Sequence, residues 1–284
     1  MLNFKTVSWG IAYRKKDTEN QDFIVIKNPI WGWAADPFLF KYNGQMYLFA
    51  ELWDYRKGKA GLGYTIISQK KPNWKMVIKE SYHLSYPNIM KINDQIYICP
   101  ESCNDLSVYF YKAISFPDKW EKMEPFIKNK DYSDTTFLNI DGFLYGFACR
   151  WHEQPYKMDL FRMKNGIVEY SSLNPIIEGG MFARSGGNFI KKDGKIIKVS
   201  QDCSDYYGKS LVFSELNLHW PDFDENIIKK IDITDIHLNK NIKPIGIHTY
   251  NQCEEYEVVD FKMKNFNIIN FIMRIILRLR KKIK

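Results

Sequence analysis

The sequence predicts an all-β chain: a five-bladed β-propeller closed by N- and C-terminal strands in one blade, followed by a C-terminal amphipathic α-helix. Three observations carry this. A β-hairpin pattern recurs about every 50 residues, a degenerate fifth copy stands near the C-terminal end, and strand-like runs at the N-terminal end supply what the fifth copy lacks. A β-sandwich followed by a second domain is the architectural alternative, but it predicts no fixed period.

Taken in chain order, residues 7–14 and 23–26 are alternating runs that match the third and fourth strands of the later repeats. The first hairpin spans 36–51 around Asn43-Gly44 and is followed by strand-like runs at 62–67 and 74–78. The second spans 86–101 around Asn93-Asp94, with a third run at 106–111. The third spans 134–150 around Asp141-Gly142, with runs at 158–163 and 166–170. The fourth spans 185–202 around Asp193-Gly194, with runs at 211–216 and 227–233. These turn pairs are residue types that tolerate positive φ in two-residue hairpins. They are spaced 50, 48 and 52 residues apart, one four-stranded blade each. A weaker fifth hairpin pairs 247–250 with 256–261 and has no outer strands downstream. The N-terminal runs complete that blade, which removes the exposed sheet edges. The expected domains are therefore a propeller over 1–262 and a basic membrane-surface helix over 263–284.

The 284-residue chain has a formal net charge of +8, but the excess is local. Of 41 basic residues, seven lie in 264–284, which has no acidic residue; this leaves 34 against 33 acidic residues elsewhere. A nearly neutral body argues against nucleic acid as a partner. In the tail Ile268, Ile272, Ile275, Ile276, Leu279 and Ile283 share one helical face, with Arg274, Arg278, Lys281 and Lys282 off it. No stretch approaches the roughly 20 apolar residues of a membrane span, so the expectation is an anionic membrane surface bound through residues 265–284. The N-terminal residues lack a signal-peptide pattern and the five cysteines form no disulfide framework, so the expected location is cytoplasmic, peripheral on the inner membrane. Cys99 and Cys103 alone make only half a zinc spacing. No dinucleotide, P-loop or nucleophile-elbow motif is present.

Inner strands of a propeller converge on its axis, so polar residues at equivalent repeat positions gather there. Asp36, Tyr86, Asp134, Arg184 and His248 stand at the starts of inner strands, and Glu51, Glu101, Arg150, Gln201 and Asp202 at the ends of second strands. Carboxylates suit proton transfer and the hydroxyls of sugars, whereas arginine forks suit phosphate. Asp36, Glu101, Asp202 and His248 are the expected catalytic residues. Glu51, His83, Tyr86, Asp134, Arg150, Arg184, Gln201 and Tyr207 are the expected substrate contacts, with Trp31, Trp33, Trp53, Tyr86, Trp151, Tyr206 and Tyr207 as surfaces for sugar rings. The carboxylates offer a place for a divalent metal, although no spacing demands one.

The motifs Ala35-Asp36-Pro37-Phe38, Tyr82-His83-Leu84-Ser85-Tyr86-Pro87, Pro100-Glu101-Ser102, Ala183-Arg184-Ser185-Gly186-Gly187, Gln201-Asp202-Cys203 with Tyr207-Gly208, and Gly246-Ile247-His248-Thr249 occur in that order. Together they resemble the N-terminal propeller domain of glucosamine inositolphosphorylceramide transferases and related bacterial polysaccharide-biosynthesis proteins. The resemblance spans about residues 30–262, with Ser185 where a proline is usual. More distantly, Asp36-Pro37 and Glu101 are similar to the base and acid positions of family 43 glycoside hydrolases. The resemblance implies glycan assembly: a glycosyltransferase of capsule or O-antigen synthesis, taking a nucleotide-sugar donor and a lipid-linked glycan acceptor. A five-bladed glycoside hydrolase and a non-catalytic glycan-binding partner of a transferase are the competing expectations.

Overall fold

The computed structural model describes residues 6–18, 21–67, 71–265, 268, 270–273 and 276. Five antiparallel sheets of four strands each form the blades of a propeller. Blade one is Gly32–Tyr42, Gln45–Asp54, Lys59–Ile66 and Lys75–Ile78, from axis to rim. Blade two is Ser85–Ile92, Gln95–Glu101, Tyr111–Ser115 and Lys119–Lys122. Blade three is Tyr132–Ile140, Phe143–Arg150, Lys157–Lys164 and Ile167–Tyr170, with the short strand Ile177–Glu178 added against Lys157 and Met158. Blade four is Ile190–Lys192, Lys195–Asp202, Ser210–His219 and Asp222–Asp232.

Blade five joins the chain ends. Its inner hairpin, Tyr250–Cys253 with Tyr256–Asn265, pairs with Thr6–Lys15, which in turn pairs with Ile24–Ile26. The closing register runs unbroken from Thr6 opposite Asn265 to Lys15 opposite Tyr256. The expected turns form as two-residue hairpin loops with positive φ at Asn43-Gly44, Asn93-Asp94, Asp141-Gly142 and Asp193-Gly194.

Each blade is apolar on both faces because it is covered on both sides by its neighbours. Phe38, Phe49 and Leu62 of blade one pack on Tyr86, Ile89 and Ile98 of blade two. Ile11 and Val258 of blade five pack on Leu39, Leu48 and Ala50 of blade one. Three further clusters fill the remaining interfaces. The core is thus five radial seams around an axis that is left for polar residues.

Three expectations differ in detail. The run 106–111 is not blade two's third strand: Ser107–Val108 pairs with Ile127–Lys128, and the blade continues at Tyr111–Ser115. A short 3-10 turn at Cys103–Asp105 with left-handed Leu106 diverts the chain before it returns to the sheet. Blade five's second strand runs to Asn265, beyond the expected strand end at 261 and the expected propeller boundary at 262. In the C-terminal segment the described residues 268, 270–273 and 276 are helical, and the rest of the expected amphipathic helix lies outside the described residues. Among the described residues no helix is long and apolar enough to cross a membrane.

Candidate active site

In blades one, two and three the inner strand is interrupted by a bulge at the same place: Asp36-Pro37, Tyr86-Pro87 and Asp134-Thr135. Asp36, Tyr86 and Asp134 have φ of 49°, 46° and 47°, a left-handed conformation uncommon for non-glycine residues. The strain persists because the bulge N–H groups are caught by the neighbouring blade. Tyr86 N–H donates to Asp36 Oδ2 at 3.1 Å, and Asp36 N–H donates to Asp260 Oδ2 at 3.1 Å. This ring of contacts turns the carboxylates into the centre of the propeller.

Two linked groups occupy that centre. In the first, Asp260 of blade five accepts from the His248 and Thr249 N–H groups, both at 3.0 Å, and pairs with His248 Nδ1 at 2.6 Å. His248 Nε2 then faces Asp36 Oδ1 at 3.7 Å, while the Thr249 hydroxyl donates to the same oxygen at 2.8 Å. The Trp9 indole lies flat on the imidazole, centroids 3.8 Å apart, and Tyr207 meets it edge-on at 5.2 Å. In the second, Arg184 Nε donates to Asp134 Oδ2 at 2.5 Å, its Nη2 lies 3.7 Å from Glu101 Oε2, and Gln201 Nε2 donates to Asp134 Oδ2 at 2.8 Å. The Cys103 thiol donates to Glu101 at 3.3 Å.

Burial separates the proton affinities of these groups. It is the main cause that pushes Glu101 up to about 8, with Asp134 adding repulsion and Arg184 opposing. Burial likewise lifts Asp36 to about 6, where His248 pulls down and Asp134 and Asp260 push up. Glu51 is held well above the carboxylate range by burial and by Asp36 and Glu101. For His248 burial favours the neutral ring, but Asp260 and Asp36 outweigh it and hold the imidazole above its ordinary value. His83 is pushed by burial down to about 4. As a neutral ring it accepts from Ala60 N–H on Nδ1 and turns Nε2 toward Glu51 Oε1 at 3.4 Å. At neutral pH the centre therefore holds a protonated carboxyl at Glu101 and a carboxylate at Asp36, the two complementary states of acid–base chemistry.

Most of the expected residues meet here. Asp36, Glu51, His83, Glu101, Asp134, Arg184, Gln201, Tyr207 and His248 line or back the centre. Tyr86 is fully buried, its hydroxyl tied to Thr136 and to Gly187 N–H, so it joins blades rather than facing a ligand. Arg150 and Asp202 do not join the centre. The residue opposite the pre-bulge position is Glu51 in blade one, Glu101 in blade two and Cys149 in blade three, so Arg150 is one step further on and points to the other face. There Asp159 and Glu153 hold it, at 2.8 and 3.0 Å. Asp202 follows axis-facing Gln201 and likewise turns away, bonded to Ser204, Ser210 and Lys230.

Asp260, Thr249 and Trp9 were not among the expected site residues. Asp260 had a signal: in the hairpin register it faces Thr249 at the place where blades one to three have Phe49, Cys99 and Phe147, all apolar and buried. A charge in that row is a buried charge needing a partner. Asp36, His248 and Asp260 are also the one group of three potential metal ligands among the described residues. Both Asp260 oxygens already accept two N–H groups each and His248 Nδ1 is committed to Asp260, so this donor set fits a proton relay rather than an ion. Two clefts of about 640 and 560 Å3 flank residues 25–30, and no axial side chain lines either.

The profile of a family described as "Glucosamine inositolphosphorylceramide transferase 1, N-terminal" matches residues 27–247. The glucosamine inositolphosphorylceramide transferase 1 of Arabidopsis thaliana is 29% identical over 198 residues, 65% of this chain and 25% of that protein. The chain thus spans about a quarter of the length of the curated relatives it matches. Among solved structures, the catalytic domain of the Coprinopsis cinerea GH62 α-L-arabinofuranosidase superposes with a TM-score of 0.58 at 10% identity, over 92% of this chain and 96% of that one. A thermostable family-43 glycoside hydrolase does so with a TM-score of 0.55 at 13% identity, over 69% and 76%. At such identities the likeness is one of fold.

Proposed function

Because the chain belongs to the family of the N-terminal domain of glucosamine inositolphosphorylceramide transferase 1, we propose that it acts in glycan assembly as a glycosyltransferase. In this reading it moves a sugar from a nucleotide-activated donor to a lipid-linked glycan, building a bacterial surface polysaccharide such as capsule or O-antigen. It works from the cytoplasmic side of the inner membrane. The observation that carries the chemistry is the placement of two buried carboxyl groups at the centre, Asp36 facing His248 Nε2 and Glu101 facing Arg184 Nη2, both at 3.7 Å, with burial raising Glu101 further than Asp36.

Asp36 takes the proton of the acceptor hydroxyl, and His248, clamped by Asp260 and Trp9, spreads the charge that Asp36 gains or loses. The acceptor oxygen forms its bond to the anomeric carbon as the bond from that carbon to the donor phosphate breaks and the electron pair leaves with the phosphate. Glu101 supplies a proton to the departing oxygen, and Arg184 faces the charge developing there. Trp53, Trp151 and Tyr207, half-buried, offer faces for sugar rings.

Membrane placement is supported by the tail. Ile268 and Ile272, four residues apart on one helical face, are exposed, whereas Asn270 is buried and donates to the Thr6 hydroxyl. Asn270 thus docks on the propeller while Ile268 and Ile272 are left outward.

The test is turnover by the full chain with a panel of nucleotide sugars and lipid-linked acceptors on anionic vesicles. Acceptor-dependent release of the donor nucleotide is expected, falling by at least about 100-fold in Asp36→Asn without loss of the folded state. Full turnover by that variant, or cleavage of finished polysaccharide by water with no donor consumed, overturns the assignment.

A further inference from the structure

Lys262 carries a charge that the chemistry above does not use. It lies on blade five's second strand, opposite Trp9 on one side and Gly246 on the other. The ammonium is 5.9 Å from the Trp9 ring centroid and 5.8 Å from that of Tyr207, and no carboxylate among the described residues pairs with it. Tyr207 also carries Arg184 beside it, the guanidinium carbon 5.0 Å from the same ring centroid. Arg184 is 4% exposed, and its Nη1 is buried with no hydrogen-bond partner. An arginine nitrogen left without an acceptor at such depth is destabilising unless a ligand supplies one.

The loop that brings these groups together is built for close approach. Ile247 N–H donates to Gly208 O at 2.9 Å. A Cβ on Gly246 would stand 2.6 Å from that oxygen, and one on Gly208, at φ +77°, would stand 3.2 Å from Trp9. Only glycines let the segment after Asp202 press onto blade five and set Tyr207 beside both cations. The neighbouring charge balance suits an anion, since Asp134 is already matched by Arg184 at 2.5 Å and burial pushes the Glu51 and Glu101 carboxyls up, toward their neutral forms.

We propose that Arg184, Lys262 and Tyr207 form a phosphate subsite in which the orphaned Arg184 Nη1 and the Lys262 ammonium, contributed by different blades, grip the phosphate ester of the substrate. Phosphate suits this pair better than a carboxylate because non-bridging oxygens on a tetrahedral phosphorus, or on the two of a diphosphate, point in different directions and serve a guanidinium and a separate ammonium at once. The subsite deepens the transferase reading and rests on it only for what the phosphate belongs to: the diphosphate of the sugar donor or the phosphate of the lipid acceptor.

Equilibrium binding to the full chain tests this without turnover, with calorimetry as the signal. The probes are inorganic pyrophosphate, uridine diphosphate and inositol 1-phosphate at low salt, with glucuronate as the carboxylate control. Saturable binding of at least one phosphate probe is expected, weakened at least tenfold in Lys262→Gln and retained in Lys262→Arg. Tighter binding of the diphosphates identifies the donor as the source, and tighter binding of the monoester identifies the acceptor. Lys262 is half-buried at the strand surface, so its variants keep the fold, which the unfolding temperature checks. No saturable binding of any phosphate probe, equal binding by Lys262→Gln, or equal binding of glucuronate overturns the subsite. If Asp36→Asn retains full turnover while these affinities behave as stated, the catalytic assignment fails and the subsite stands.

Discussion

Glu101→Gln isolates the protonated carboxyl at the centre of the propeller. Gln has the shape of the neutral acid, can still donate toward Asp134, and does not ionise. In the native protein burial and Asp134 hold Glu101 up to about 8, whereas an unfolded chain ionises it near the ordinary value of 4.5. Between those values the native state keeps a proton that the unfolded state releases, so the stabilisation present below about pH 4.5 is lost as pH rises toward 8. From pH 5 to pH 8 the loss is about three pH units at 1.36 kcal/mol each, on the order of 4 kcal/mol. For a chain of this size that corresponds to roughly 8 °C in the unfolding temperature. Thermal unfolding of wild type and Glu101→Gln, measured at half-unit intervals from pH 5 to 8, reads it directly. The variant should gain on wild type by that amount across the interval, while losing glycosyl transfer at every pH. Parallel curves for the two proteins would show that Glu101 is ionised throughout, and the acid assigned to it would fall.

Three other outcomes follow from the same contacts. Arg150→Met strips the buried Asp159 carboxylate of its two shortest cationic bonds, at 2.8 and 3.0 Å, and should destabilise the fold by about 3–5 kcal/mol in urea titration while leaving phosphate binding unchanged. Gly187→Ala places a Cβ 1.9 Å from the Tyr250 carbonyl at φ +145°, so the seam between blades four and five has to open; a loss of at least about 3 kcal/mol is expected, and a near-neutral variant would contradict the packing. Removing residues 266–284 should release the protein from anionic vesicles in a flotation assay and leave its unfolding temperature within a few degrees of wild type. Vesicle binding retained by the truncated chain would place the membrane contact elsewhere.

Much of the architecture was legible from local sequence. Hairpin turns such as Asn43-Gly44 and Asp141-Gly142 announce themselves because few residue types accept positive φ at both turn positions. Counting between them yields the blade period, and the unfinished fifth hairpin shows that residues near Thr6 must meet residues near Asn265. The axial carboxylates Asp36, Glu51, Glu101 and Asp134 were visible for the same reason, since equal places in a repeat converge in space.

What the sequence left open depends on single-residue register and on contacts between distant strands. Strand side chains alternate with a period of two, so the bulges at Asp36, Tyr86 and Asp134 decide which neighbour faces the axis, and an offset of one residue sends Arg150 and Asp202 to the opposite face. Bulges are settled by which carboxylate captures the freed N–H group, here Asp260 and Asp36 from adjoining blades. Blade five departs most from the repeat, and it supplies Trp9, His248, Thr249, Asp260 and Lys262 from both ends of the chain. By itself the sequence determined the number of blades, the closing strands and the gathering of acids at one end of the axis. Only the tertiary structure decided which acids keep their protons and which cations remain unpaired, because burial and distance between blades, not local composition, set the energy of each charge.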